Sequence, residues 1–193
     1  MKIYNNTNIN FKHKKAVVAI GNFDGVHLGH QKVLKEAKIM AKKLRLPFGA
    51  MTFEPMPVMF FNKKIKNHRV NSLNQKKYYL KKLKLDFLII VKFNRIFSSL
   101  TAEKFIENII YNKINCKYLY ISRNFKFGFK RKGNLKTLKF FENKFGYKSI
   151  ITKPHKKDNK IISSTMIRKK IVSGKINEAN KLLGRKWSIE GKV

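Results

Sequence analysis

Residues Ala16 to Gln31, AVVAIGNFDGVHLGHQ, carry the pattern around which the rest of the chain is organised. Ala16 to Ile20 is an unbroken apolar run and reads as a buried strand. It stops at Gly21, Asn22, Asp24 and Gly25, residue types that suit turns with special backbone geometry. His27, Gly29 and His30 follow, and then a helical pattern with Val33, Leu34, Ala37 and Met40 or Ala41 on one face. Strand, glycine turn and helix form the first half of a βαβ unit. The start of such a helix gathers unpaired N–H groups and favours an anion. Two histidines stand where the anion would lie, so the stretch predicts a nucleotide phosphate site.

The same alternation continues outward. Residues 1–15 read as a loose lead-in. Phe48 to Phe53, Asp86 to Val91, Lys117 to Ser122 and Tyr147 to Thr152 read as further strands, with Pro47 placed just beyond the first helix. Helices are expected from the capping-box pattern Ser72-Leu-Asn-Gln75 to about Leu83, from Thr101 to about Tyr111, and over Leu135 to Phe145. Another starts near Ser164 or Thr165 and closes at Gly174, and a last one ends at Gly184. Phe53 to Phe61, FEPMPVMFF, is expected to be irregular because Pro55 and Pro57 remove two donors. It serves as a packed crossover or as a lid for a flat ligand. A loop with Pro154 and Asp158 precedes Ile161. The tail RKWSIEGKV alternates Trp187, Ile189 and Val193 and reads as a strand without a partner. The fold class is therefore α/β, a doubly wound parallel sheet.

Composition bounds the chemistry. The chain has 193 residues, enough for one domain with a real core, and no apolar run of membrane-spanning length. A single cysteine, Cys116, excludes an internal disulfide framework and fits a reducing cytoplasm. The net charge of +35 invites nucleic acid, but the lysines are spread along the whole chain. Lys, Asn, Ile and Phe, all with A/T-rich codons, are abundant together. That pattern favours a genome-wide bias over a nucleic-acid surface. Acids number only ten, so carboxylate-pair chemistry and carboxylate metal cages have few candidates. Catalysis must rest on histidine, cations and backbone donors.

Three constellations can do such chemistry. His27 and His30 flank Gly29, whose missing side chain lets a ligand approach the backbone. No third His or Cys stands near for a metal. Asp24 suits turn or cap chemistry, with ligand contact as its second use. In Ser163-Ser164-Thr165-Met-Ile-Arg168, Arg168 falls one turn after Thr165 on the same helical face. Hydroxyls, free N–H groups and a guanidinium together make a second phosphate site. Both constellations follow strands, and in doubly wound sheets ligands bind beyond the carboxyl ends of strands, so both can face one crevice. Asn124 to Gly128, NFKFG, sets two phenylalanines around Lys126, for core packing, a flat ligand or single-stranded RNA. GxxxxGK[ST] and GxGxxG are both missing, which disfavours a P-loop ATPase and a dinucleotide dehydrogenase.

Taken together, GNFDGVHLGHQ, TFEPMP, NFKFG and SSTMIR resemble the bacterial FAD synthetase family, the bifunctional riboflavin kinase/FMN adenylyltransferases. The resemblance covers most of the chain and is to the N-terminal adenylyltransferase domain. It implies a Rossmann-like nucleotidyltransferase (HxGH) fold over residues 1–184, with 185–193 as the start of a link toward a riboflavin kinase domain. Kinase activity is not expected of this chain. The implied reaction joins FMN and ATP into FAD and pyrophosphate with Mg²⁺. His27, His30 and Arg168 would be the catalytic groups. Gly21, Asn22, Phe23 and Gly25 would shape the nucleotide turn, and Asn124 would border the ATP. Ser164, Thr165 and Arg168 would hold the triphosphate from the opposite side. Asp24, Phe53, Pro55, Pro57, Phe125 and Phe127 would lie on the flavin side, and no metal ligands are assigned. Ser122 stands where the family often has glycine and Lys126 where arginine is common, so that loop is expected to differ locally.

The expected partners are ATP and FMN, with neither membrane nor nucleic acid, and a separate riboflavin kinase as the FMN source. Two alternatives remain from the residues alone. One is an adenylyltransferase with another phosphate acceptor. The other is an RNA-binding protein on an inactive scaffold, supported by the charge and by the loop Arg123 to Arg131.

Overall fold

A computed structural model describes residues 1–65, 68–157 and 160–191. Its centre is a parallel six-stranded sheet, made of β1 (Lys2–Tyr4), β2 (Val17–Ile20), β3 (Phe48–Glu54), β4 (Phe87–Lys92), β5 (Tyr118–Ser122) and β6 (Lys148–Thr152). The spatial order is β1-β4-β3-β2-β5-β6, so β2 lies inside the sheet with β3 and β5 as neighbours. Val17 is in register with Phe48 on one side and Tyr118 on the other. The chain winds from β2 through β3 to β4 in one direction and places β5 and β6 in the other. The reversal opens a crevice beyond the carboxyl end of β2, where Gly21 stands.

The apolar runs are unbroken because both faces of the sheet are covered. Val17 and Ala19 of β2 pack with Val33, Leu34, Ala37 and Ala41 of α1 (Leu28–Leu44). Val18 and Ile20 face the opposite core with Phe105, Ile106, Ile109 and Ile110. In β3, Gly49 lets the Phe87 ring of β4 lie against the strand; a Cβ there would stand 2.2 Å from Phe87 Cζ.

Several expectations are corrected. Residues 2–4 are a strand rather than lead-in. Lys2 N donates to Asp86 O, the Tyr4 hydroxyl bonds His13 Nδ1 at 2.7 Å, and the His13 ring stacks on Phe87 with centroids 4.7 Å apart. Three residues carry too little periodicity to announce a strand; these tertiary pins create it. Within FEPMPVMFF, Pro57–Phe61 forms α2. Pro57 sits at its first position, where the N–H would have no partner anyway. The capping box is present at α3 (Leu73–Lys82), where Ser72 and Gln75 cap each other. After α4 (Arg95–Ser98), Thr101 caps α5 (Ala102–Phe105), which continues as a π-helix over Ile106–Lys113. The helix expected over Leu135 to Phe145 is broken at Phe141 into α6 (Leu135–Phe140) and α7 (Glu142–Phe145).

Beyond β6 the expected loop contains a small antiparallel pair, β7 (Lys156–Lys157) with β8 (Lys160–Ile161); Asp158 lies outside the described residues. Ser163 caps α8 (Ser164–Val172), and Gly184, at φ 70°, closes α9 (Ile176–Leu183). The tail after Gly184 is not a strand. It runs irregularly across the start of α3, where Trp187 Nε1 donates to Val70 O at 3.0 Å and Ser72 Oγ bonds Glu190 Oε2 at 2.8 Å. Val193 lies outside the described residues.

Candidate active site

The turn between β2 and α1 takes a backbone path that few residues favour. Phe23, Gly25 and Val26 all have positive φ, at 47°, 83° and 41°. For the β-branched Val26 this is strained and persists only where surroundings hold it. The Thr52 hydroxyl donates to Asn22 O at 3.0 Å from the end of β3. Phe23 is buried, with its ring edge-on to His30 at 5.4 Å.

The path delivers His27 to the N-cap of α1, where its Nδ1 accepts from the His30 amide at 3.3 Å. An Nδ1 that accepts leaves the proton on Nε2, so the neutral ring has one defined donor. The two imidazoles stack, with centroids 3.7 Å apart and planes 19° from parallel. A Cβ at Gly29 would stand 3.1 Å from the His27 ring, so glycine permits this stack. Burial, with Arg185's charge second, lowers the His27 pKa to about 4. Burial also holds His30 well below its ordinary value, with the charges of His27 and Lys76 adding to the effect. Both rings are therefore neutral near pH 7 in the free protein.

That neutrality has a consequence for stability. On unfolding, His27 returns to a pKa near 6.5, so between about pH 6.5 and 4 the unfolded chain holds a proton that the folded chain lacks. Stability is full above this window and falls as pH drops through it, by about 3 kcal/mol for His27 alone. Urea unfolding at pH 7.5 and 4.5 measures the loss. His27→Gln should remove about that much of the pH dependence; an unchanged dependence in the variant would refute the assignment.

The SSTMIR segment meets this turn directly. Ser164 Oγ donates to Asp24 O at 2.8 Å. Arg168 Nη1 reaches Asp24 Oδ2 at 2.8 Å, and its Nη2 donates to Thr165 Oγ1 at 3.1 Å. The other Asp24 oxygen accepts the Val70 amide at 2.9 Å. Asp24 is 2% exposed and has both oxygens occupied. It ties Val70 and α8 to the turn, the structural role its place in the turn suggested.

A cavity of about 670 Å³ opens beside the turn. Its lining includes Gly21, Asn22, Phe23, His30, Asn124 and Ser164 together with Phe53, Pro57, Phe125 and Phe127. All of these were singled out from the sequence. Gly25, His27, Thr165, Arg168, Asp24 and Pro55 are not in that lining: Asp24, Gly25 and His27 belong to the turn, Thr165 and Arg168 to α8, and Pro55 follows β3. Thr165 is exposed and faces a groove with Lys169 and Lys170. Phe61, at the end of the segment read as a crossover or lid, is joined by Phe93, Phe97 and Phe105, which the sequence reading missed; in this aromatic wall Phe93 and Phe97 meet at 5.7 Å. Lys130 and Arg131, named only as part of the loop Arg123 to Arg131, also stand in the lining. Gly128, at φ 71°, folds the NFKFG loop onto Ala102, whose backbone would be 2.7 Å from a Cβ there.

Beneath the turn, Lys76 is 1% exposed and its ammonium has no hydrogen-bond partner among the described residues. Burial lowers its pKa, while Glu54 and Asp24 oppose the shift. Arg69 pairs with Glu54 nearby. Among the described residues no group of three or more His, Cys, Asp or Glu side chains could hold a metal, so these residues do not fit a resident metal ion.

Comparison with known proteins matches residues 9–166 to the model of the FAD synthetase family. A bifunctional riboflavin kinase/FMN adenylyltransferase from Buchnera aphidicola subsp. Schizaphis graminum is 45% identical over 179 residues, covering 92% of this chain and 57% of that protein. The protein of that description from Bacillus subtilis is 37% identical, with 93% and 56% covered. The chain thus spans a little over half the length of these curated relatives. A crystal structure of a Streptococcus pneumoniae protein described as a macrolide-efflux protein superposes with a TM-score of 0.83 at 29% identity, over 99% of this chain and 65% of that one. No helix among the described residues is long and apolar enough to cross a membrane. With a family model matching over most of its length, and the histidine turn and SSTMIR helix joined as described, the chain belongs to the FAD synthetase family.

Proposed function

We propose that this chain is an FMN adenylyltransferase, joining FMN and ATP into FAD and pyrophosphate, with residues 1–184 as the domain responsible. The observation that carries the reading is the pairing of an anion-ready turn with an aromatic cavity. A helix start with two neutral histidines meets a cavity of a size that suits a cofactor and is walled by phenylalanines. A phosphate-bearing flat ring is the ligand such a site fits. The names of the relatives support the two substrates.

The reaction needs no protein nucleophile. An FMN phosphate oxygen bonds to the α-phosphorus of ATP as the bond from that phosphorus to the oxygen bridging to the β-phosphate breaks. Pyrophosphate leaves with the electron pair. What the protein supplies is alignment and stabilisation of the charge that spreads over the α-phosphate. His27 Nε2–H and His30 donate to it, together with free amides at the start of α1. Ser164, Thr165 and Arg168 take the remaining phosphates, Arg168 turning there from Asp24. Lys126, Lys130 and Arg131 bring positive charge to the cavity lining, and Phe53, Pro57, Phe125 and Phe127 enclose the isoalloxazine. Mg²⁺ enters only as the counter-ion of the ATP phosphates. A separate riboflavin kinase as the source of FMN, and a cytoplasmic setting, belong to the same proposal.

The test is direct. Incubation with ATP, Mg²⁺ and FMN, followed by chromatography, should yield FAD and pyrophosphate in equal amounts. A folded protein that makes no FAD and binds neither substrate would refute the reading.

A further inference from the structure

Arg185 lies just after α9, far along the chain from the histidine turn, and plays no part in the mechanism above. Its guanidinium is nevertheless folded under that turn. Nη2 donates to Gly25 O at 2.6 Å and to Asn71 Oδ1 at 2.8 Å. Nη1 points to Val26 O at 3.5 Å and Leu183 O at 3.4 Å. The guanidinium carbon sits 3.7 Å from the centre of the Tyr79 ring. Two of the captured oxygens, Gly25 O and Val26 O, belong to residues with left-handed backbone. Holding Gly25 O fixes the plane of the Gly25–Val26 peptide, and with it the strained φ of Val26, the residue that hands the chain to His27.

Neighbouring contacts reinforce the hold. Gln31 Nε2 donates to both Val26 O and Leu183 O at 3.0 Å, which buttons α1 to the end of α9. Asn71 Nδ2 bonds Gln75 Oε1 at 3.1 Å, and Gln75 Nε2 donates to Ser188 O at 3.0 Å. Trp187 Nε1 donates to Val70 O, while the Val70 amide donates to Asp24. Residues 185–190 therefore run as a strap from the histidine turn to the start of α3.

We propose that Arg185 is a positioning residue for adenylyl transfer: it fixes the Gly25–Val26 peptide and through it the histidine pair, so that docking of the 185–190 strap decides whether the nucleotide turn is competent. This rests on the FMN adenylyltransferase reading. A planar fork stacked on an aromatic face is something arginine provides and lysine does not.

Arg185→Ala should lower the rate of FAD formation about 100-fold, acting on turnover more than on the KM for ATP, because a small displacement of aligned groups is enough for a loss of that size. Millimolar guanidinium should restore part of the rate and ethylammonium should not. Arg185→Lys, which keeps the charge, should show the same loss, and it serves if the alanine variant does not fold. Wild-type turnover in either variant, or rescue by both cations alike, would overturn the proposal. Amide exchange over residues 22–31 gives a readout independent of catalysis and should speed up in both variants. If the wild-type chain makes no FAD, the functional reading fails, and unchanged exchange would separately overturn the grip of Arg185 on the turn. Trp187, the sole tryptophan, reports strap docking through its emission.

Discussion

His27→Ala is expected to cut FAD formation about 100- to 1,000-fold, the range for removing one preorganised donor from a developing oxyanion. The expectation comes from how the ring is held. Its Nδ1 is committed to the His30 amide, so the proton stays on Nε2, and His30 stacks on it at 3.7 Å. The donor is thus fixed in tautomer and orientation before substrate arrives, which is the condition under which one hydrogen bond contributes several kcal/mol to a transition state. Alanine also removes a helix cap, worth about 1 kcal/mol of stability. His27→Asn separates the two effects. Asparagine is a good N-cap through its side-chain oxygen, yet it is too short to set a donor where Nε2 stands. The asparagine variant should melt like the wild type and turn over as poorly as the alanine variant. His30→Gln should fall in the same range, with the KM for ATP changing less than turnover. Full turnover in His27→Asn would remove the ring from the mechanism and leave it a cap.

The part of this site legible in the sequence is the part made of local patterns. The run from Ala16 to Ile20 had to be buried on both faces, and Val18 and Val17 do face opposite cores. The HxGH spacing at a helix start and the Thr165–Arg168 offset are local geometry, and both are seen. What a sequence hides is who meets whom. Asp24 reads as a turn or cap residue, but the sequence does not say that its partners are Val70 and Arg168. Phe93, Phe97 and Phe105 each look like ordinary core residues and become one wall only when the sheet sets the end of β4 and α4 beside α5. Arg185 sits in a tail that reads as a strand. Its role depends on the orientation of two carbonyls in a turn, which no periodicity encodes. The strand at residues 2–4 was hidden for the same reason, since Tyr4, His13 and Phe87 form it jointly.

Asp24→Ala is the substitution with the largest expected loss of stability, about 3–5 kcal/mol, because it removes one partner of a largely buried ion pair and leaves the other charge uncompensated. The Asp24 side chain is 3% exposed and that of Arg168 21%, so water can rescue the guanidinium only in part. The Val70 amide loses its acceptor at the same time. For a chain of this length that is a fall in melting temperature of roughly 6–20 °C. Asp24→Asn keeps an acceptor for Val70 and should lie between alanine and the wild type. The double variant Asp24→Ala/Arg168→Ala discriminates between a broken pair and a general loss of packing. With both partners gone no uncompensated charge is left, so the double variant should be more stable than the sum of the single losses implies, by about 1–3 kcal/mol. Calorimetry on the four proteins gives the coupling. Strict additivity, or an Asp24→Ala variant that melts with the wild type, would show that the pair is not what joins α8 to the turn.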